Sequence, residues 1–350
     1  MKIGIPKEVK IKEGRVALIP DAAAELVKHG HTVFLEKDAG ILSGYSNQNY
    51  EIIGVKILND AATLYGEAEM IVKVKEPQPQ EWPLLRKDHI LFSYLHLAAE
   101  PELTKALVNI GLTGVAFETV QDRGLLPLLA PMSDIAGRIA VQAGTHLLHL
   151  QQGGRGILLG GVPAADRGHV VVLGAGVAGG NAARLAAAMG AEVTVFDRSR
   201  AKLEQMRDLG NNVTALHPFA NSIHDAVCRA DLLIGAVLIP GEKAPHLVSA
   251  ETVKQMQPGS VIVDISVDQG GCIETTRPTN YDNPTFVWEG VVHFGVTNMP
   301  GAVPRTSSQA LSAALVPYIL RLTEPNWSGQ ADLAAGVNVR EGEVILPALL

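Results

Sequence analysis

Three side chains in the first third of the chain are of types that could act together on a small anion. Arg15 lies in the loop "KIKEGRVALIP", just after the first apolar segment. Lys75 closes "MIVKVKEP", directly before Glu76 and Pro77, and His96 closes "LFSYLH". Read as strands, these segments put Lys73 and Lys75 on one face, and Tyr94 and His96 on one face, because side chains repeat every two residues. Most lysines are solvated surface groups; Lys75 stands out by its place at the carboxyl end of its strand, the edge where open α/β sheets bind ligands. An arginine can grip a carboxylate with two parallel hydrogen bonds, and a lysine supplies a point charge. A histidine can carry a proton near neutral pH. The residues alone leave a second reading open: separate surface charges and one histidine that packs at a strand tip.

A different chemistry is written in "HVVVLGAGVAGGNAARLAAAMGAEVTVFDRS". An apolar strand leads into Gly174-x-Gly176-x-x-Gly179, an alanine-rich helix follows, and a second strand runs up to Asp197, eighteen residues past Gly179. Gly174 permits the tight turn, Gly176 lets the backbone approach a pyrophosphate, and Gly179 permits close packing of helix on strand. The helix N-terminus offers its unpaired N–H groups to the phosphates, and the acid accepts hydrogen bonds from ribose hydroxyls. Glycines also serve ordinary turns, but here strand, helix, second strand and acid all agree with dinucleotide binding. Further on, "GSVIVDISVDQGGC" reads as a strand that ends in Asp268 before a pair of glycines. Asp264, inside the apolar run, reads as a buried structural acid. Asp268, at the strand mouth, is placed to face a nicotinamide, or alternatively to cap a loop.

These residues must be held by alternating strands and helices. "KIGIP", "HTVFLEK", "VKIL", "MIVKVKE", "ILFSYLH" and "TGVAFET" read as strands, separated by helical segments such as "PDAAAELVKHG", with Asp21 in its first turn and Gly30 as its stop. This alternation argues for a parallel sheet with helices on both faces. A long helix from about Ser133 reads as a connector, a second series of strands and helices starts at "HVVVLGAG", and a last helix, "SSQALSAALVPYILRL", precedes a polar tail. The expected fold class is α/β, with two Rossmann-like doubly wound domains.

Composition narrows the function classes. The 350 residues suffice for two domains, and 47% hydrophobic with 19% charged residues is enough apolar matter for a real core. The formal charge is −7, and no basic block interleaved with aromatics occurs, which argues against nucleic acid. Apolar runs are cut by Gly, Arg and Asp short of the about 20 residues a membrane helix needs. The start "MKIGIPKEVK" has no apolar signal core. Cys228 and Cys272 lack metal or redox spacing and read as reduced thiols in a cytoplasmic protein, and no metal site is expected.

Taken together, "GIPKEVK", "GRVALIP", "VKVKEP", "LFSYLHLA", "PLLAPMSDIAGR", "GGRGILLGGVP", "GAGVAGGNAAR", "GAVLIPGEKAP", "VDISVDQGGC", "RPTNYDNPTF" and "TNMPGAVPRTSS" resemble the alanine dehydrogenase family, in order from Met1 to about Leu322. The resemblance implies a substrate domain of residues 1–128 closed by 306–350, an NAD-binding domain of 129–305, and a homo-hexamer. It implies oxidative deamination of L-alanine to pyruvate and ammonium with NAD, and the reverse reaction. Arg15 and Lys75 match the family's carboxylate ligands, and His96 and Asp268 its catalytic pair. Tyr94 is expected beside the substrate, and Leu129 and Met132 suit a short side chain. Asp197 matches the ribose acid. Cofactor contacts are further implied at Ser133, Gly174, Gly176, Val177, Ala178, Gly179, Lys202, Val237, Leu238, Ile265, Ser266, Val267, Asp268, Arg277, Val296, Thr297, Asn298 and Met299. The chain departs from the family at His217-Pro218, where Tyr-Ser is frequent and proline offers no hydroxyl. It also departs at Thr297, in place of alanine, and at Asp134, in place of glutamate. The alternatives are the NAD-binding domain of a transhydrogenase, which lacks the lysine and histidine in the matching segments, and a lysine- or saccharopine-type dehydrogenase. A module that only senses NAD is the remaining possibility.

Overall fold

A computed structural model describes residues 1–237 and 244–347. From the N-terminus the chain forms β1 (Lys2–Ile5), α1 (Pro20–Lys28), β2 (Thr32–Glu36), α2 (Asn47–Glu51), β3 (Lys56–Leu58), α3 (Ala61–Glu67), β4 (Met70–Val72), β5 (Ile90–Ser93), α4 (Pro101–Ile110) and β6 (Thr113–Ala116). The middle contains α5 (Ala130–Leu147), β7 (His169–Leu173), α6 (Val177–Ala188), β8 (Glu192–Phe196), α7 (Arg200–Arg207), β9 (Val213–Leu216), α8 (Ala220–Arg229), β10 (Leu232–Gly235), α9 (Ala250–Val253), β11 (Val261–Asp264), β12 (Thr285–Trp288) and β13 (Val291–Phe294). The chain closes with α10 (Pro304–Leu322), α11 (Ala331–Gly336), β14 (Val337–Arg340) and β15 (Glu343–Val344). Two compact units result: Met1–Met132 with Pro300–Leu350, and Ser133–Met299. These boundaries lie within six residues of those the resemblance implied, 128/129 and 305/306.

In the first unit the strands run in the order β15-β14-β6-β5-β4-β1-β2-β3, and β3 through β6 are parallel. In the second the order is β12-β13-β11-β10-β7-β8-β9, parallel except for β12. Leaving out the antiparallel strands, each unit follows the doubly wound order 3-2-1-4-5-6. The order reverses between β1 and β4 in one unit and between β7 and β10 in the other. At such a reversal the flanking loops leave in opposite directions and open a crevice at the carboxyl ends of the strands. The central strands are nearly continuous apolar runs, as both-face burial demands: "MIV" in β4, "HVVVL" in β7 and "LLIG" in β10.

Several expectations need correction. β4 ends at Val72 and β5 at Ser93, so Lys73, Lys75, Tyr94 and His96 lie on the outgoing loops rather than on strands. Two ladder-like bonds continue, from Lys73 N–H to Phe92 O and from Tyr94 N–H to Val74 O, before a buried carboxylate takes over the backbone donors. Lys73 is not a solvated group but fully buried. β11 ends at Asp264, not Asp268, because the Asp264 carboxylate accepts the Ser266, Cys272 and Ile273 N–H groups and folds the chain into a 3-10 turn, Ile265–Gln269. The tail after α10 is not merely polar: β14 pairs antiparallel with β6 and extends the first sheet. Its Asn338, 1% exposed, accepts a hydrogen bond from the Thr119 hydroxyl.

Candidate active site

In the first unit the loop between β1 and α1 carries Arg15 into a buried position, 2% exposed. Glu13 grips its guanidinium on one edge, with Nε to Oε1 at 2.6 Å and Nη2 to Oε2 at 2.5 Å. Nη1 donates to Met132 Sδ at 3.1 Å. Burial works against the charge of Arg15, but the hydrogen bonds and charge of Glu13 outweigh it and hold the group above its ordinary pKa. The backbone of the same loop is tied to α10. Val16 N–H donates to Ser308 Oγ and Ile19 N–H to Ser312 Oγ, both at 2.9 Å, while the Ser312 hydroxyl returns a bond to Ala17 O at 3.1 Å. Two serines four residues apart on one helix face thus satisfy donors of the loop that orients Arg15. α10 therefore packs on α1 and braces the arginine loop.

Lys75 is half-buried on the loop after β4, the strand next to β1 across the reversal. Its N–H donates to Glu8 Oε2 at 3.3 Å, and its carbonyl accepts from Ser93 Oγ at 2.8 Å. His96 follows β5, one strand further out. It adopts a positive φ of 49°, a left-handed conformation that a non-glycine residue takes only when its surroundings enforce it. The enforcing group is Glu118, two residues past β6, whose carboxylate accepts His96 N–H at 2.6 Å and Leu95 N–H at 3.1 Å. The imidazole stacks on Tyr94 with centroids 5.9 Å apart, and its Nδ1 lies 3.9 Å from Glu118 Oε1. That spacing is too long for a hydrogen bond. The His96 side chain is 40% exposed, whereas Tyr94 is buried, edge-on to Phe117, with its hydroxyl donating to Leu128 O at 2.6 Å. Burial drives the Tyr94 phenol well above its usual pKa, so it serves as a fixed platform and not as a proton carrier. Met132 is buried and Leu129 half-buried.

In the second unit the glycine segment has the geometry its spacing called for. Gly174 adopts φ 97°, and Gly176 is the N-cap of α6. A Cβ on Gly179 would stand 1.8 Å from Gly174 O, whereas one on Gly176 would meet nothing within 4 Å, so a ligand can approach there. Asp197 lies just past β8, and its two oxygens accept Ala175 N–H and Ser199 N–H, each at 2.8 Å. Lys202 is in the first turn of α7. Ser266 Oγ donates to Val237 O at 2.8 Å, which ties the loop after β10 to the turn after β11. That turn also holds Ile265, buried Val267 and exposed Asp268. After β13 come buried Val296, Thr297, whose N–H donates to Thr279 O, Asn298 at φ 57°, and buried Met299. Arg277 covers the Phe286 ring at 4.3 Å. Ser133 and Asp134 lie on α5, Asp134 accepting from Asn181 of α6 at 2.7 Å. Leu238 lies outside the described residues. His217 and Pro218 follow β9 in a turn closed by Phe219 N–H to His217 O. Val177 and Ala178 open α6. The carboxyl ends of β7, β8, β10, β11 and β13 therefore gather these residues along one edge, where a dinucleotide fits a doubly wound unit.

Sequence reasoning missed Glu8, Glu13, Lys73, Glu81, Ser308, Ser312 and Glu118. Glu118 was within reach, since it follows a strand end as His96 does. The others are recognisable only once burial shows which charges face inward. Among the described residues no group of three or more His, Cys, Asp or Glu is placed to hold a metal ion, and no helix is long and apolar enough to cross a membrane.

The models "Alanine dehydrogenase/PNT, N-terminal domain" and "Alanine dehydrogenase/PNT, C-terminal domain" match residues 4–136 and 140–347. The alanine dehydrogenase of Bacillus subtilis is 49% identical over 355 residues, covering 100% of this chain and 94% of that protein. That of Mycobacterium tuberculosis strain H37Rv is 46% identical, covering 99% and 95%. A solved L-alanine dehydrogenase superposes with a TM-score of 0.95 at 49% identity, covering 100% of this chain and 98% of that one. A transhydrogenase from Sinorhizobium meliloti superposes with a TM-score of 0.86 at 28% identity, covering 99% and 100%.

Proposed function

The chain belongs to the alanine dehydrogenase/PNT family, and from that premise we infer that it is an NAD-dependent L-alanine dehydrogenase. The reaction is L-alanine + NAD+ + water to pyruvate + ammonium + NADH + H+, and its reverse. One observation carries this reading over the transhydrogenase alternative. Both units are doubly wound, but the loop after β1 of the first unit has no glycine fingerprint. At its strand reversal stand Arg15 and Lys75, groups that bind a carboxylate rather than a second dinucleotide.

Arg15 and Lys75 hold the substrate carboxylate, with Leu129 and Met132 against its methyl group and Tyr94 beneath. Positioning of this kind contributes several kcal/mol to lowering a barrier. NAD, which the Gly174–Gly179 segment and Asp197 would hold, would supply the acceptor for the hydride that leaves Cα. Water adds to the resulting iminium carbon, and the carbinolamine loses ammonia to give the ketone. His96 takes the proton from the attacking water and returns one to the departing nitrogen, while Asp268 assists that water. Asp197 receives the ribose hydroxyls. The remaining cofactor contacts are Ser133, the Gly174–Gly179 segment, Lys202, Val237, Leu238, Ile265, Ser266, Val267, Arg277, Val296, Thr297, Asn298 and Met299. The domain roles follow: residues 1–132 and 300–350 carry the substrate site, and 133–299 the cofactor site. A homo-hexamer, as families of this kind imply, is to be checked by sedimentation velocity. Cytoplasmic residence agrees with two free thiols, Cys228 and Cys272.

The deciding experiment is NADH formation across a panel of amino acids. L-Alanine should be the best substrate, with serine and 2-aminobutyrate slow, because the apolar Leu129 and Met132 offer no partner for a charged chain. Faster turnover of lysine or glutamate would indicate the lysine- or saccharopine-type reaction. No turnover of any amino acid, with hydride exchange between nucleotides, would indicate the transhydrogenase type.

The carboxylate grip is tested separately. Lys75→Ala should raise KM for pyruvate by about tenfold or more, the loss of one charge-assisted contact, and leave NADH affinity unchanged. Arg15→Ala should do the same and also lower thermal stability, because buried Glu13 loses the two charge-assisted hydrogen bonds that the guanidinium donates. An unaltered pyruvate KM in both variants eliminates the grip.

A further inference from the structure

Beneath the loops that carry Arg15 and Lys75 lies an ionic cluster to which the reaction assigns no part. Glu8, Lys73 and Glu81 are 8%, 0% and 3% exposed. Lys73 Nζ stands 3.0 Å from Glu81 Oε2 and 3.5 Å from Glu8 Oε2. Glu81 also accepts the Tyr65 hydroxyl at 2.8 Å and Gln78 N–H at 2.8 Å, so its charge is well satisfied. Glu8 is less well matched. Its Oε1 accepts Val74 N–H at 2.5 Å, while Oε2 has only the longer contacts, Lys75 N–H at 3.3 Å and the Lys73 ammonium. The groups that face it are Lys73 and Glu81 from the β4–β5 connection, Glu13 and Arg15 from the β1–α1 loop, and Tyr65 from α3. Burial pushes the Glu8 carboxyl up to about 7, with Glu13 and Glu81 adding to the rise and Lys73 opposing it. The Lys73 ammonium resists its own burial because Glu8 and Glu81 flank it, and its pKa lies above the ordinary value.

We propose that Glu8 is a positioning residue whose proton is linked to substrate binding. It anchors the backbone of Val74 and Lys75, and it takes a proton from solvent when a carboxylate docks on Arg15 and Lys75. The proposal rests on the carboxylate site described above. A docked anion brings a further negative charge up to the loop that Glu8 anchors through Val74 and Lys75, in a medium that screens charge poorly. Glu8 answers by protonation at Oε2, whose contacts are the longer ones, while Oε1 keeps its short bond to Val74. The sign follows from linkage: a group whose pKa is higher in the complex than in the free enzyme makes binding tighter as pH falls through the interval between the two values. If the anion raises the Glu8 pKa by about one, binding is about tenfold tighter at pH 6 than at pH 9, with uptake of about half a proton midway.

The test uses the full-length protein with NADH bound and oxamate, an uncleavable pyruvate isostere, as the anionic probe. Calorimetry in buffers of different ionisation enthalpy reads the protons taken up. To keep the substrate-site imidazole out of the reading, the measurement is made with His96→Gln and with His96→Gln/Glu8→Gln. The first should take up about half a proton near pH 7.5 and the second close to none, with pH-independent oxamate affinity. Equal uptake in both variants overturns the role of Glu8. Failure of oxamate to bind the wild type overturns the carboxylate site itself, and the proposal with it. Should the double variant not fold, infrared difference spectra of the wild type decide: oxamate should produce new carboxylic-acid carbonyl absorption, and its absence overturns the proposal.

Discussion

His96→Ala should lower kcat by about 100-fold or more, within the range that positioned general acids and bases contribute. Two features make this a statement about proton transfer and not about packing. The ring is 40% exposed, so little apolar burial is lost on truncation. The backbone at φ 49° is held by Glu118 through the His96 and Leu95 N–H groups, not by the side chain, so the turn survives. The positive φ also supplies a control. Glycine occupies that region without a Cβ clash, so His96→Gly should be more stable than His96→Ala by about 1 kcal/mol, yet equally inactive. NADH affinity should be unchanged in both, because the dinucleotide edge belongs to residues 133–299. The measurements are kcat in both directions, NADH fluorescence titration and thermal unfolding. A His96→Gly enzyme that turns over near the wild-type rate would falsify the catalytic role and return His96 to packing.

The parts of this molecule that were legible in the sequence share one property: everything they require is close by along the chain. Gly174, Gly176, Gly179 and Asp197 span a single strand-helix-strand unit, so spacing and residue type determine the outcome. Asp264 read as a buried acid because apolar neighbours on both sides leave it nowhere else to go. Legibility fails where a partner is distant. Lys73 reads as a surface lysine until Glu81 and Glu8, on other segments, are seen to surround it. β4 and β11 look longer than they are, because the side chains that end them, Glu8 and Asp264, take backbone donors that a neighbouring strand would otherwise claim. β14 cannot be read from "VNVR" alone. Its place beside β6 depends on Asn338 meeting Thr119 and on Val339 filling the space above Gly114, more than 200 residues earlier. For the same reason the serines of α10 look like ordinary helix-surface residues until the arginine loop lies against them.

NAD should be preferred over NADP by about 100-fold or more in kcat/KM, and Asp197 should be the cause. An NADP 2′-phosphate would stand against a carboxylate with no way to yield, since both oxygens are fixed by Ala175 and Ser199 N–H groups. Two unit charges about 4 Å apart repel by about 4 kcal/mol at an effective dielectric near 20, which sets an upper bound of about 1000-fold. Arg198 and Arg200 follow directly and reduce this, as arginines near this position do in NADP enzymes. Arg200 reduces it least, because its guanidinium is engaged by Glu204 at 2.9 Å. The two backbone bonds also determine how a variant fails. Asp197→Ser should narrow the preference, but largely by losing NAD: a shorter hydroxyl cannot hold Ala175 and Ser199 together, so the glycine loop and the start of α7 loosen. The expected result is a fall in kcat/KM with NAD of about tenfold or more, the cost of two charge-assisted hydrogen bonds, with NADP use rising or unchanged. Steady-state kinetics with both cofactors in wild type and Asp197→Ser distinguish these terms. Equal use of NAD and NADP by the wild type would mean that Arg198 and Arg200, and not the acid, control cofactor choice.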